Sequence, residues 1–345
     1  MSRRKFNVAV VGATGAVGEQ IIGLLEKRDF PVEKLKLLSS ARSAGTVLRF
    51  KGQEITVEEA GPDSFAGIDI ALFSAGGDVS KALAPHAVRH GAVVIDNTNA
   101  FRMAETAPLV VPEVNEHMIG QHQGIIANPN CSTIQMVTAL KPLHDRYGVS
   151  RIIVSTYQAV SGAGAKAIDE MLRQSKEVLE GNEVKPDILP VSSLPVKHQI
   201  AFNAVPQIDK FQENGYTLEE IKMVRETKKI FGDDSIQVTA TCVRIPVVYG
   251  HSESVYVELK NDYDLEEVRG LLSDAPGVTL VDDPASQNYP LATEAAGKND
   301  VFVGRLRRDL DNPRGLNLWI VSDNLLKGAA WNAVQIAEIV AAGKE

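Results

Sequence analysis

A short apolar run, Val8–Val11, passes directly into Gly12-Ala-Thr-Gly15-Ala-Val-Gly18 and then into the helical stretch Glu19–Lys27. No other segment constrains the fold as strongly. Glycines between a strand and a helix let the chain turn tightly and bring backbone N–H groups against a pyrophosphate. The helix N-terminus adds a partial positive charge there. In this strand–turn–helix context the glycines, Gly12 first among them, predict a dinucleotide-binding βαβ unit. Further apolar runs at Leu35–Leu38, Ile70–Phe73, Val93–Ile95 and Gly124–Ala127 alternate with helical stretches, as in a parallel sheet.

The end of the second strand decides between nucleotides. An NAD-type site carries Asp or Glu there for the ribose hydroxyls. This chain instead reads Leu37-Leu-Ser39-Ser40-Ala41-Arg42-Ser43. Two hydroxyls and a guanidinium suit a 2′-phosphate, so Ser39, Ser40 and Arg42 point to NADP.

Beyond residue 150 the texture changes. Arg151–Val160, Ile236–Pro246, Ser252–Leu259, Val301–Arg308 and Leu316–Val321 alternate polar with apolar, which suits a mainly antiparallel sheet with one covered face. Helices are expected over Lys166–Leu179, after the capping-box spacing Thr217-Leu-Glu-Glu220, after Asp264-Leu-Glu-Glu267, and over Asn324–Ala341. The fold class expected is α/β: a Rossmann-type dinucleotide domain plus an α+β catalytic and dimerisation domain. The expected boundaries are 1–130 with 324–345 for the first, the last helix returning to it, and 131–323 for the second.

With 36 Lys+Arg against 44 Asp+Glu, a net −8 chain without a basic cluster is not built to bind nucleic acid over a broad face. Any phosphate must be small and held by a few placed cations. No apolar run reaches the roughly 18 residues of a membrane span, and Val8–Val11 is too short for a signal-peptide core. Two cysteines are too few for a disulfide framework or thiolate metal cluster, so a reducing cytoplasm and no bound metal are expected. Cys242 sits inside the apolar run Val238–Val243, where a packing role fits. Cys131 differs. It follows Asn128-Pro-Asn130 and precedes Ile134, Val137 and Leu140, so it lies near the first turn of a helix. A helix dipole supplies about 0.3–1 kcal/mol, whereas one pKa unit needs about 1.4 kcal/mol. A nucleophilic Cys131 therefore also calls for an imidazole.

These segments resemble the bacterial aspartate-β-semialdehyde dehydrogenases. The resemblance runs through the glycine turn, Asn97-Thr-Asn-Ala-Phe-Arg102, Asn128-Pro-Asn-Cys-Ser-Thr133 and Gln158-Ala-Val-Ser-Gly-Ala-Gly164. It continues through Pro195-Val-Lys-His-Gln-Ile-Ala-Phe-Asn203, Glu219-Glu-Ile-Lys-Met223, Cys242-Val-Arg-Ile-Pro-Val247, Gly250-His-Ser252 and Ser322-Asp-Asn-Leu-Leu-Lys-Gly-Ala-Ala330. It implies Cys131 as nucleophile, His251 as acid/base and Gln158 beside the thiol. It further implies Arg244 for the substrate α-carboxylate, Glu219 for its ammonium, and Arg102 with Lys222 for phosphate. It also implies Thr14, Gly15, Ala16 and Val17 against the cofactor, joined by Ser161, Gly162, Pro195 and Asn324, the last near the nicotinamide amide.

The implied reaction interconverts L-aspartate 4-semialdehyde and 4-phospho-L-aspartate through a cysteine thioester, with NADP and phosphate, in a homodimer serving lysine (through diaminopimelate), threonine and methionine biosynthesis. Each residue also has a plainer reading. Glu219 and Lys222, three apart on a helix, could be a solvated ion pair, His251 an exposed turn residue, and Arg102 a surface cation. Arg244 shares a strand face with Cys242, where a charge needs a partner. Two rival readings are an N-acetyl-glutamyl-phosphate reductase-like enzyme, whose substrate has no ammonium for Glu219, and a non-enzymatic NADP-binding regulator. Tyr256-Val-Glu-Leu-Lys260 has the spacing of a short-chain dehydrogenase dyad, but it alternates as a strand.

Overall fold

The computed structural model describes residues 4–343. The chain forms two compact units, one running to Asn130 and resuming at Gly328, the other spanning Cys131–Lys327.

The first unit contains, in chain order, β1 (Phe6–Val11), α1 (Ala16–Lys27), β2 (Val32–Ser39), β3 (Val47–Phe50), β4 (Gln53–Thr56), β5 (Glu58–Glu59), β6 (Ile70–Phe73), α2 (Gly77–Arg89), β7 (Val93–Asp96), α3 (Pro112–Asn115) and β8 (Ile125–Ala127). Its main sheet has the order β5-β2-β1-β6-β7-β8, with every pair parallel. β6 and β7 are buried at every position, as apolar strands covered on both faces must be. The β3–β4 hairpin lies apart from this sheet and was not anticipated, because its strands alternate too briefly to stand out.

The turn after β1 shows why glycine is needed. Gly12 has φ +88°, and a Cβ there would lie 2.9 Å from the Ala75 amide nitrogen. At Gly18 a Cβ would fall 2.1 Å from the Gly12 carbonyl oxygen, so α1 packs on the turn only without a side chain.

The second unit contains α4 (Cys131–Tyr147), β9 (Val149–Gln158), α5 (Ala165–Leu179), α6 (Leu218–Phe231), β10 (Gln237–Arg244), β11 (His251–Leu259), α7 (Leu265–Asp274), β12 (Val278–Leu280), α8 (Ala292–Ala295), β13 (Val301–Arg308) and β14 (Gly315–Ser322). Its sheet has the order β10-β9-β11-β14-β13-β12. The three inner pairs are antiparallel, whereas β10–β9 and β12–β13 are parallel. The sheet is thus mainly antiparallel, as expected, with a parallel pair added at each edge. Periodicity could not show those edge pairs, because alternation reports a covered face and not strand direction.

One face of this sheet, with Ile152, Val154, Val255, Val257 and Ile320, forms a core with Met136, Leu140 and Leu143 of α4 and Met223 of α6. The opposite face carries the half-exposed Ile153 and the Tyr157–Trp319 ring pair. Tyr256 and Lys260 bond to Asn312 and Asp233 respectively, so the dehydrogenase-like spacing is coincidental.

The final helix, α9 (Trp331–Ala342), belongs to the first unit. There Arg28 of α1 makes a bidentate pair with Glu338 and stacks over Trp331. The helix does not begin at Asn324 as expected. A π-helical turn, Leu326–Ala330, precedes α9, and residues 324–327 stay with the second unit. Asn332 of α9 donates to Asn128 Oδ1 at 2.7 Å and to the Val110 carbonyl at 3.0 Å, tying the last helix to the segment before Cys131.

Both capping signals hold. Thr217 accepts from the Glu220 N–H while Glu220 accepts from the Thr217 N–H, and Asp264 caps α7. Removing the α6 cap by Thr217→Ala is expected to cost about 1 kcal/mol. Thermal unfolding should then shift to lower temperature, whereas Thr217→Ser should match the wild type.

Candidate active site

In the first unit a cavity of about 790 Å³ opens at the carboxyl ends of β1, β2 and β6. It is lined by Gly12, Thr14, Gly15, Ser39, Ser40 and Arg42, which are half of the expected cofactor residues. Thr14 and Ser39 hydroxyls lie 3.0 Å apart. Ala16 and Val17 form the first turn of α1, where backbone N–H groups lack intrahelical partners. Ser74, Ala75, Val79 and Leu83 also line the cavity and were missed, as was Glu59 at the tip of β5. The end of β6 was recoverable in principle: ligands of open parallel sheets bind beyond the carboxyl ends of strands on both sides of the first one.

Arg102 is not a surface cation. It is 8% exposed, with Nε donating to the Asn128 carbonyl at 3.0 Å and Nη2 to the Asn97 carbonyl at 2.9 Å. Asn128 Nδ2 donates to Asn97 Oδ1 at 2.8 Å, so the Asn128-Pro-Asn130 lead-in is held from several sides. Nearby Asp96 has its carboxyl raised above the usual range by burial, against hydrogen bonds from Ser80 and Thr98 that favour the charged form.

In the second unit, sheet register assembles the remaining residues. Arg244 pairs with Gln158 across β10–β9, Ser252 pairs with Tyr157 across β11–β9, and His251 pairs with Ser322 across β11–β14. One row at the end of four strands therefore reads Arg244, Gln158, His251, Ser322. Cys131 opens α4 and is partly exposed, while Ser132 beside it is buried. Gln158 Nε2 donates to Ser132 Oγ at 2.5 Å and to Glu219 Oε1 at 3.3 Å, which puts the amide next to the residue following the thiol. Arg244 Nη1 donates to the Ala159 carbonyl at 2.6 Å, and the Ala159 N–H donates to His251 Nδ1 at 3.1 Å. One backbone residue thus anchors both functional side chains.

Gly162 packs closely over this arrangement. A Cβ there would stand 3.2 Å from Arg244 Nη1 and 3.5 Å from His251 Nε2, so any side chain would obstruct both. Glu219 and Lys222 form an ion pair at 3.2 Å, as their spacing suggested, with Asp209 on the far side of the ammonium at 3.1 Å. Glu219 is buried, however, so the pair is not a solvated one. Asn324 bridges within the unit, donating from Nδ2 to Ser161 Oγ at 3.0 Å and accepting the Gly250 N–H at 3.0 Å. Pro195 lies exposed in an irregular segment that Glu170 of α5 pins by accepting the N–H groups of Asp187, Ile188 and Leu189.

Burial governs the electrostatics. Desolvation, then the adjacent Arg244 cation, push His251 down to about 3, with Glu219 opposing them. Arg244 is itself lowered by burial, again against Glu219. Burial pushes the Cys242 thiol up, and its sulfur packs 3.7 Å from Met223 Sδ, which suits an inert packing residue. Among the described residues no group of three or more His, Cys, Asp or Glu could hold a metal ion, and no helix is long and apolar enough to cross a membrane.

A glycine-turned dinucleotide unit, joined to a second unit that opens on a thiol and carries a buried imidazole and guanidinium in one row, defines a nucleotide-dependent dehydrogenase of the thiol class. The family models for the semialdehyde dehydrogenase NAD binding domain and dimerisation domain match residues 7–122 and 140–327. The aspartate-semialdehyde dehydrogenase of Bacillus subtilis (strain 168) is 62% identical over 97% of both chains. A structure of aspartate semialdehyde dehydrogenase II from Vibrio cholerae, complexed with ASA, superposes with TM-score 0.93 at 49% identity over 98% of both chains. A more distant aspartate semialdehyde dehydrogenase from Candida albicans, solved with NADP, gives TM-score 0.76 at 26% identity over 98% of both. The chain belongs to the semialdehyde dehydrogenase family, and the relatives it matches end to end are aspartate-semialdehyde dehydrogenases.

A neutral His251 has a consequence for stability. Below its ordinary pKa of about 6.5 the unfolded chain takes up a proton that the folded chain refuses until near pH 3. Folding stability therefore falls as pH drops through that window, by at most about 1.4 kcal/mol per pH unit. The deficit of a His251→Gln variant relative to wild type should shrink between pH 7 and pH 5. A constant difference in unfolding midpoints would rule out a buried neutral imidazole.

Proposed function

We propose that this chain catalyses the NADP- and phosphate-dependent interconversion of L-aspartate 4-semialdehyde and 4-phospho-L-aspartate. The observation that carries the reading is the row Arg244, Gln158, His251 set against the helix that Cys131 opens.

The glycine turn fits a dinucleotide, since Gly12 and Gly18 leave no room for a Cβ and the cavity beyond them carries hydroxyls and a guanidinium. Thr14 to Val17 hold the pyrophosphate, and Ser39, Ser40 and Arg42 the 2′-phosphate that distinguishes NADP. Ser161, Gly162, Pro195 and Asn324 serve the nicotinamide end. When bound, the dinucleotide accepts hydride in the oxidative direction and supplies it in the reductive one.

The chain's own residues do the rest. Cys131 Sγ adds to the aldehyde carbon, with His251 as its acid/base partner. Backbone N–H groups at the start of α4 stabilise the oxyanion that forms. Gln158, held by Ser132 and Glu219, orients the acyl group once it is a thioester on Cys131. Arg244 receives the α-carboxylate and Glu219 the ammonium. Desolvation is the main cause of the low His251 and Arg244 adds to it, so a carboxylate on Arg244 offsets the cation's share and makes His251 a somewhat better base. Arg102 and Lys222 hold phosphate, which attacks the thioester and releases the acyl phosphate. Glu219 favours a free ammonium and speaks against an N-acetylated substrate. The second unit, matched by the dimerisation-domain model, forms the homodimer, and a reducing cytoplasm keeps Cys131 reduced.

The decisive assay follows NADP⁺ reduction with aspartate semialdehyde, with and without phosphate. Activity should require phosphate, be weak with NAD⁺, and vanish in Cys131→Ala; phosphate-dependent turnover in that variant would sink the reading. Arg42→Ala should raise KM for NADP⁺ by about tenfold, as for loss of one charged hydrogen bond, and leave KM for NAD⁺ nearly unchanged.

A further inference from the structure

Beneath the row of Arg244, Gln158 and His251 lies a second polar layer that the reaction itself does not use. Gln135 sits one turn along α4 from Cys131 and is fully buried. Its Nε2 donates to the His251 carbonyl oxygen at 3.3 Å, and its Oε1 accepts from Ser322 Oγ at 2.7 Å. Ser322 is the ladder partner of His251 on β14. Both bonds therefore run from the thiol's helix to the strand ends that carry the imidazole.

Glu253 completes the layer. It lies two residues on from His251, hence on the same sheet face, and is fully buried facing Gln135. Neither of its oxygens has a hydrogen-bond partner of good geometry, and burial holds its carboxyl well above the usual range, with the Gln135 amide acting in the opposite direction.

An amide in this position is not needed for packing. The neighbouring α4 residues Met136, Ala139 and Leu140 join the core by apolar contact, and a buried amide costs desolvation unless its bonds are made. What two directed bonds add is register. Apolar contacts are non-directional, whereas an amide bonded at both ends also fixes direction. We propose that Gln135 is a positioning residue for the Cys131–His251 pair, its amide locking the first turns of α4 to the ends of β11 and β14. This rests on the assignment of Cys131 and His251 as reacting groups.

The test uses the full chain and two variants. Gln135→Met keeps the volume and loses both bonds, and Ser322→Ala removes one. Each is measured for kcat and KM in the phosphate-dependent assay and for the rate of Cys131 alkylation by iodoacetamide, with Cys242 labelling followed by mass spectrometry as the reporter of unfolding. Because small misplacements of reacting groups cost up to about 100-fold, Gln135→Met should lose kcat on that order and alkylate several-fold more slowly. KM for aldehyde and NADP⁺ should change little, and Cys242 should stay unlabelled. Ser322→Ala should move kcat and alkylation in the same direction by less.

Wild-type kcat and alkylation in Gln135→Met would overturn the inference, as would losses that appear only together with Cys242 labelling. If Gln135→Met yields no folded protein, Ser322→Ala decides alone, and wild-type behaviour there overturns it. Failure of the underlying reading shows up separately, as turnover that survives Cys131→Ala.

Discussion

The second unit is organised around an arrangement that water would never favour: a guanidinium and an imidazole buried side by side at the end of one sheet. Arg244 is 4% exposed and His251 is fully buried, and the nearest counter-charge is the carboxylate of Glu219. Removing a cation from water costs several kcal/mol even after relaxation, so such a site persists only where the scaffold over-determines it. Here β9 lies between β10 and β11 and supplies Gln158 to the row and Ala159 as common anchor. The large apolar core on the same face holds that sheet in place. In the proposed reaction the same burial lets these groups meet an anionic, carbonyl-bearing substrate without competing water.

The same logic explains how Cys131, the proposed nucleophile, is presented. Pro129 stops any helix before it, the side chains of Asn97, Asn128 and Asn332 bind one another in the first unit, and α4 starts at Cys131 as the second unit begins. A thiol at the first turn gains from the helix dipole, but only by a fraction of a pKa unit. Cys131 differs from Cys242 in being partly exposed at a helix start, whereas burial beside Met223 and the sheet core pushes the Cys242 thiol up.

Much of this was legible in order along the chain. Apolar strands of a parallel sheet, a glycine turn, and the Thr217 and Asp264 caps are local signals, because their causes lie within a few residues. Glu219 and Lys222 belong to the same group, three apart on one helix. Other features were not legible. Parallel pairing of β10 with β9, the isolated β3–β4 hairpin and the π-turn before α9 depend on neighbours distant in sequence. Gln135, Ser322 and Glu253 gave no signal either. Each is an ordinary polar residue in an apolar neighbourhood until the sheet brings them together.

Sequence alone determined the chemistry available: a phosphate-cradling turn, a guanidinium where NAD would want a carboxylate, and one thiol with a helix-start lead-in. Those are properties of residue type and short spacing, which covalent geometry fixes in advance. The tertiary structure decided which of these groups meet and how strongly they are charged. Residues 158, 244 and 251 converge only through strand register, while 131 and 219 are brought in by helices, and His251 is depressed chiefly because burial removes its water. Desolvation is a property of the assembled core, so no reading of adjacent residues could have supplied it.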